Sequence, residues 1–227
     1  MYYDLHIHSC LSPCSDDSMT INNIVNMALI KELELIAITD HNTTKHLELF
    51  KQIANQKIHI LYGVELQTKE EIHILAYFKN DQPLKQLQNW LDEHLITIKN
   101  NPAFFGNQYI LDKNDQFIDQ EPNLLITSLN TTLEQTIQFI HELNGKVVLA
   151  HVFNQRYSIF SQLGFIPKDL CFDGIEVKNE DEIHQIKTQY PQTRDCLFLI
   201  NSDAHQLIDI SEPIHTITTQ QLKNFWR

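Results

Sequence analysis

The chain has 227 residues, a formal charge of −12 and 42% hydrophobic residues, enough apolar side chain for one sizeable core. No apolar run approaches the roughly 20 residues of a membrane span, and the acidic balance disfavours long duplex nucleic acid, whose phosphates are bound chiefly by Lys and Arg. The four cysteines, Cys10, Cys14, Cys171 and Cys196, show no framework spacing. Ligand-type residues begin at Asp4, so no signal peptide is expected, and the thiols read as those of a reduced, cytoplasmic protein. Cys10 and Cys14 would be soft metal ligands only with a second closely spaced pair, which the chain does not have.

Apolar periodicity predicts a strand over Tyr2–His6 and a helix over Ile21–Leu33, entered through Thr20. Leu35–Thr39 reads as a strand buried on both faces, followed by a helix over Thr43–Asn55 and strands over Ile58–Val64 and Ile72–Phe78. Leu84–Ile98 and Leu133–Leu143 are predicted helices, the second ending at Asn144-Gly145. Lys146–Ala150, Asp173–Val177 and Leu197–Ile200 are the last expected strands. Repeated β-then-α order implies parallel strands and an α/β fold in a single domain over residues 1–227. Residues 99–122 break the rhythm. They hold Pro102 and Pro122, with a hairpin pattern in Tyr109-Ile110-Leu111 and Phe117-Ile118, and read as an insertion that is either a surface excursion or a substrate lid.

Two motifs frame the chain: Asp4-Leu5-His6-Ile7-His8-Ser9 near its start and Asn201-Ser202-Asp203-Ala204-His205 near its end. On a strand, residues i and i+2 project to the same side, so each motif can aim two ligands into one pocket. The intervening strands carry the same kind of residue: Asp40-His41 after the second, Glu65 after the third, His73 in the fourth, and His151 after Val147-Val148-Leu149-Ala150. In α/β barrels the C-terminal strand ends converge on one site, and so many His, Asp and Glu residues there point to a shared metal centre.

In these residues and their order the chain resembles the PHP (polymerase and histidinol phosphatase) domain family of metal-dependent phosphoesterases. The resemblance runs from Asp4 to His205. It implies a distorted (β/α)7 TIM-like barrel with two or three divalent metal ions at the C-terminal face. The implied ligands are His6, His8, Asp16, His41, Glu65, His73, His151, Asp203 and His205. His6, His8, Glu65 and Asp203 would hold one ion. Glu65 would bridge to a second, held with His73 and His151, and Asp16, His41 and His205 would take a third. Cys10–Ser15 lengthens the loop before Asp16-Asp17 relative to many relatives, so Asp17 competes with Asp16 for the third site. Mixed imidazole and carboxylate ligation suits Zn, Mn or Fe.

The resemblance implies hydrolysis of a small phosphomonoester, such as a nucleotide or histidinol phosphate, by a hydroxide bridging two metals. Glu65, Asp203 and Asp40 are the carboxylates expected to serve catalysis, Asp40 from behind the ligands, as a loop anchor or as a metal ligand itself. Arg156 is either a phosphate-binding cation or a surface arginine. Glu176 either faces the pocket or has a hydrogen-bonded structural role. His46, His59, His94, His141, His184 and His215 lack strand-end placement and read as structural or solvent-facing. The alternatives are a nuclease acting on short oligonucleotides, a C–N bond hydrolase, and a non-catalytic module stiffened by metal.

Overall fold

A computed structural model describes all 227 residues. Strand β1 (Tyr3–Ile7) and strand β2 (Leu35–Ile38) are buried along their whole length and pair in parallel, as in a sheet covered on both faces. Helix α1 (Ile21–Ile30) connects them. The Thr20 side chain caps it by accepting the Asn23 N–H, and it buries Ile21, Ile24, Val25 and Ala28, the spacing of one helical face. It stops earlier than its apolar pattern suggests, because Glu32 turns left-handed with φ 57°.

Helix α2 (Leu47–Ala54) is shorter than the predicted Thr43–Asn55. The backbone and side chain of Thr44 and the side chain of Thr43 instead donate to Gln88 Oε1, which holds residues 42–46 as a loop. Strand β3 (His59–Gln67) pairs with β2 in parallel. Strand β4 (His73–Phe78) pairs antiparallel with β3, correcting the expectation of an all-parallel sheet. Only residues 68–72 separate the two strands, and a parallel crossover needs a dozen or more. The antiparallel ladder also draws Glu65 and Gln67 into β3, where Gln67 pairs with His73.

Helix α3 (Leu84–His94) ends before the predicted Ile98, since the following chain turns extended and the Ile96 N–H donates to Ser128 O. The insertion contains a short helix α4 (Pro102–Phe105) and the expected hairpin, β5 (Tyr109–Leu111) with β6 (Phe117–Gln120). Helix α5 (Leu133–Glu142) starts at a Thr132/Gln135 capping box. Strand β7 (Lys146–Leu149), helix α6 (Ile159–Leu163), strand β8 (Gly174–Glu176), helix α7 (Glu180–Gln189), strand β9 (Leu197–Leu199) and helix α8 (Thr219–Phe225) complete the chain. No helix is long and apolar enough to cross a membrane.

The fold is mixed α/β, with a curled seven-stranded sheet in the order β1-β2-β3-β4-β7-β8-β9. The segment after β9 returns to β1: the His8 N–H donates to Ala204 O at 2.9 Å and the Ala204 N–H to His6 O at 3.2 Å. One face of the sheet packs on the helices through a large core that includes Ile7, Ile36, Val64, Ile74 and Ile175. The other face carries a smaller cluster of Tyr3, Leu5, Ala37, Leu61, Leu75, Tyr77, Val148 and Leu199, with Phe225 of α8 against it. Strand alternation then puts Glu65 and Gln67 on the face of Leu61, His73 on that of Leu75, and Glu176 opposite Ile175. In β1 the alternation breaks. Leu5 joins the inner cluster and Ile7 the outer one, where pairing with β2 shifts register between Asp4 and Ile7. A bulge of this kind re-aims side chains and lets both His6 and His8 reach the inner face.

The insertion is fastened to the loops that follow β1 and β2. The Tyr109 N–H donates to Cys10 O at 2.9 Å, Asn107 Nδ2 donates to both Asp17 carboxylate oxygens, and Lys45 pairs with Glu121. Gly106 adopts φ 100°, and a Cβ there would lie 2.0 Å from Pro13 O. Gly106→Ala combines a left-handed strain with a backbone clash and is expected to lower stability by about 3 kcal/mol in urea denaturation; an unchanged midpoint would contradict the docked insertion.

Candidate metal centre

The inner face is apolar at its floor and polar at the rim, and Glu65 stands at the centre of the polar ring. It is almost fully buried. His73 Nδ1 lies 2.9 Å and His151 Nε2 3.1 Å from its Oε1, and His41 Nδ1 lies 3.0 Å from its Oε2. His8 Nε2 is 3.3 Å from Oε2 and His6 Nε2 3.5 Å from Oε1. Asp203 faces the same space, its Oδ1 3.2 Å from His6 Nε2 and 3.3 Å from His8 Nε2. It sits at φ 54°, a left-handed conformation that Asp tolerates better than most residues. His73 arrives here from the start of its strand because β4 runs opposite to the others.

The second ring nitrogen of each histidine fixes where the first one's lone pair points. His6 Nδ1 lies 3.0 Å from Glu176 Oε1, so Nδ1–H donates and Nε2 is the nitrogen left to take a metal ion or a second proton. Ser12 Oγ donates its only proton to Asp40 Oδ1 at 2.7 Å. It must therefore accept from His8 Nδ1–H at 3.1 Å, which leaves His8 Nε2 to take a metal ion or a second proton. His73 Nε2–H donates to Gln67 Oε1 at 3.0 Å, and His205 Nδ1–H to Asp203 O at 2.7 Å. Carboxylate or carbonyl support of this kind is how metal-ligating imidazoles are oriented.

Ring nitrogens and carboxylate oxygens thus face one another: His6 Nε2 and His8 Nε2 are 3.2 Å apart. Although His41 Nδ1 is within 3.0 Å of Glu65, it makes no hydrogen bond with acceptable geometry, and neither does the buried His151 Nδ1. Such an arrangement calls for cations or extra protons. Ligand atoms come within metal-binding reach in three groups: His6, His8 and Asp203; His41, Glu65 and His73; and His8, His41 and His205. Nitrogen-rich mixed donors fit a divalent transition ion.

The expected Asp16 ligand stands elsewhere. Its side chain is exposed and accepts the Ser18 N–H at 2.8 Å, which lowers its pKa, while its own N–H donates to His205 O. Asp17 is bound by Asn107. The lengthened Cys10–Ser15 loop turns through its own bonds, Ser12 N–H to Ser9 O and Ser15 N–H to Ser12 O, and leaves both carboxylates outside the three groups. Asp40 lies behind the ring. Its carboxylate accepts Ser9 N–H, Ser9 Oγ and Ser12 Oγ, so it anchors the loop after β1 and also stands behind His8 through Ser12. Glu176 resolves in favour of support, taking the His6 imidazole, the His151 N–H and Asn201 Nδ2. Ser12 and Gln67 were not foreseen. Gln67, two residues beyond Glu65, would have been placed by extending β3. Arg156 is exposed and lines a cavity of about 370 Å³ with Cys14, Asn154, Tyr157, Asp203 and His205. The Tyr157 ring stacks on His73 at a centroid distance of 4.9 Å.

The PHP domain matches residues 4–164 of the sequence. The chain belongs to the PHP domain family. An uncharacterized Bacillus subtilis protein, YqxK, is 25% identical over 97% of the chain, and the chain spans less than two thirds of the curated relatives it matches, 59% of YqxK and 39% of a Streptococcus pneumoniae protein. Among solved structures, a lesion-specific endonuclease from Pyrococcus furiosus, EndoQ, superposes with a TM-score of 0.66 at 20% identity, covering 90% of this chain and 48% of that one. A candidate metal-dependent phosphoesterase from Bifidobacterium adolescentis gives 0.65 at 16% identity, covering 98% and 94%. An endonuclease Q has also been solved with a 27-mer duplex bearing an abasic lesion at its active site.

Electrostatics give the ring a definite pH behaviour. Burial opposes charge on His6 and His8, but the carboxylates around them prevail: Glu176, Asp203 and Glu65 hold His6 well above its usual range, and Asp203 and Glu65 raise His8 to about 9. Burial would raise Glu65, yet the imidazoles of His73, His41 and His6 hold it well below the carboxylate range. Burial pushes His41 well below, and His205 below, the usual imidazole range. In the metal-free chain the stability from charged His8 is full below its unfolded pKa of about 6.5 and is lost as pH rises through about 9, and the contribution of His6 has the same sign because its pKa is also raised. Cations must displace those protons. Titrating stripped protein with Zn²⁺ or Mn²⁺ near neutrality should release protons, in an amount that falls as pH rises through about 9, where His8 loses its own; binding without proton release would contradict these protonation states.

Proposed function

We propose that the protein is a metal-dependent phosphoesterase that hydrolyses a small phosphomonoester of the nucleotide or histidinol phosphate kind, using two or three Zn, Mn or Fe ions. What carries the reading is that bare imidazole and carboxylate atoms converge at a cavity of about 370 Å³ whose rim holds Arg156. His6, His8 and Asp203 would hold one ion, and His41, Glu65 and His73, with His151, a second. His205 would add to a third with His8 and His41. The ions would supply Lewis acidity toward phosphate oxygens and make water acidic enough to ionise near pH 7. Glu65 and Asp203 bring a formal −2 against +4 or more, so the loaded pocket is cationic and suits an anionic substrate. Arg156 forms no ion pair with any carboxylate of the chain, which leaves its guanidinium free to hold a phosphate oxygen. Glu176 and Asp40 keep the ring pre-aimed, so little reorganisation accompanies the reaction. The four cysteines are free thiols, which accords with a cytoplasmic setting.

The likeness to EndoQ favours a second reading, a nuclease. The formal charge of −12 and the size of the cavity weigh toward the small substrate. A phosphate-release screen across phosphomonoesters, with lesion-bearing duplexes in parallel, separates the two. Turnover only on duplex would overturn the small-substrate reading, and no turnover on either by metal-loaded protein would overturn both.

Outer supports of metal sites cost about 10–100-fold when removed. Direct ligands should cost more, so His8→Ala and Asp203→Ala are each expected to lose at least about 100-fold in kcat/KM with the fold retained by circular dichroism. Arg156→Ala removes one charge-assisted contact worth about 2 kcal/mol, and should raise KM roughly thirtyfold with kcat nearly unchanged. An unaltered KM would remove Arg156 from substrate binding.

A further inference from the structure

His46 has no place in the reaction derived above, yet it is almost fully buried and both of its ring nitrogens are engaged. It stands at the start of α2, between the insertion and the loop that follows β1. On one side the backbone N–H of Leu111, in β5 of the insertion, points at His46 Nε2 at 3.4 Å. Nε2 is therefore the acceptor and the proton sits on Nδ1. On the other side His46 Nδ1 lies 2.8 Å from Ser9 Oγ, so Ser9 receives that proton and must direct its own elsewhere. It does so, to Asp40 Oδ2 at 2.6 Å. The other Asp40 oxygen accepts Ser12 Oγ at 2.7 Å, and Ser12 in turn accepts His8 Nδ1–H at 3.1 Å. Hydrogen bonds run from both ends toward the Asp40 carboxylate, and each one dictates the direction of the next. The chain starts at a backbone amide of the insertion and ends at a ring whose other nitrogen faces Asp203 and Glu65.

We infer that His46 is a positioning residue: it couples the inserted hairpin to the ligand His8 through Ser9, Asp40 and Ser12, and thereby sets the metal affinity of the site. The inference rests on the reading that His6, His8 and Asp203 bind a metal ion. It gives residues 99–122 a role distinct from a lid, as a brace that supplies the hydrogen bond selecting the His46 tautomer. A bare Ser9 hydroxyl could turn its proton away from Asp40. The carboxylate would then be free to shift and release Ser12, and His8 would lose the partner that aims its Nε2 at the metal site.

The test is a competitive chelator titration of Zn²⁺ or Mn²⁺ on the full chain, paired with thermal unfolding of the stripped protein. In Asn the amide nitrogen takes roughly the place of an imidazole Nδ1, whereas in Gln it lies nearer Nε2. His46→Asn therefore retains the donor to Ser9 and His46→Gln does not. The expected result is affinity within about threefold of wild type for His46→Asn, and a loss of about 10–100-fold for His46→Gln, His46→Leu and Ser9→Ala. Stripped His46→Asn and His46→Gln should unfold at similar temperatures, which a purely structural role would not separate from their affinities. If His46→Leu does not fold, the Asn and Gln pair decides the matter. Equal affinities for Asn and Gln, or wild-type affinity for a folded His46→Leu, would overturn the inference. Wild-type protein that binds no metal would overturn the metal reading itself, a result separable from metal binding that His46 leaves unchanged.

Discussion

Six imidazoles and two carboxylates are aimed into one small volume with their lone pairs facing inward. No neutral arrangement of these groups is comfortable, because bare nitrogens 3.2 Å apart and buried carboxylates repel unless a cation or a proton lies between them. The rest of the structure follows from keeping this arrangement in place. The bulge in β1 rotates His6 and His8 onto one face. The tight return between β3 and β4 inverts a strand, so that His73 enters at the pole where the other strands finish. Pairing between Ala204 and the end of β1 brings Asp203 and His205 back to the first motif.

Two buried carboxylates lie behind this ring and do different work. Glu176 gathers three donors from separate elements, the His6 ring, the His151 amide and the Asn201 side chain, and so ties β1, β7, β8 and the chain after β9 at one point. Asp40 gathers Ser9 and Ser12 and reaches the metal ligands only through them. Below both, the apolar floor of Leu5, Leu61, Leu75 and Val148 keeps water from the far side of the ring. A polar ring on a dry floor, supported from behind, is pre-organised for charged chemistry, since its dipoles need not reorient as charge develops.

Much of this was legible in the sequence. The His-X-His and Asp-X-His pairs, the strand-terminal His41 and His151, and the hairpin of residues 109–120 follow from periodicity and residue type. The orientation of β4 was missed although the information was present, because five intervening residues cannot hold a crossover helix. Asp16 shows the opposite limit. The resemblance implies it as a ligand, but a local bond from the Ser18 N–H holds its carboxylate, and side-chain capping within a loop leaves no periodic trace. The supporting roles of Ser12 and His46 were equally hidden, since they depend on which proton goes where, whereas Gln67 lay within reach of a longer β3.

The central claim is that this ring exists to hold divalent cations. Elemental analysis of the purified chain, with its unfolding temperature measured before and after exhaustive chelation, tests it most directly. The account predicts at least about two equivalents of Zn, Mn or Fe per chain and a clear fall in unfolding temperature on stripping, restored by adding the metal back, since a ligand bound only to the folded state stabilises it. A chain that carries no metal, takes up none, and unfolds at the same temperature with and without chelator would contradict it.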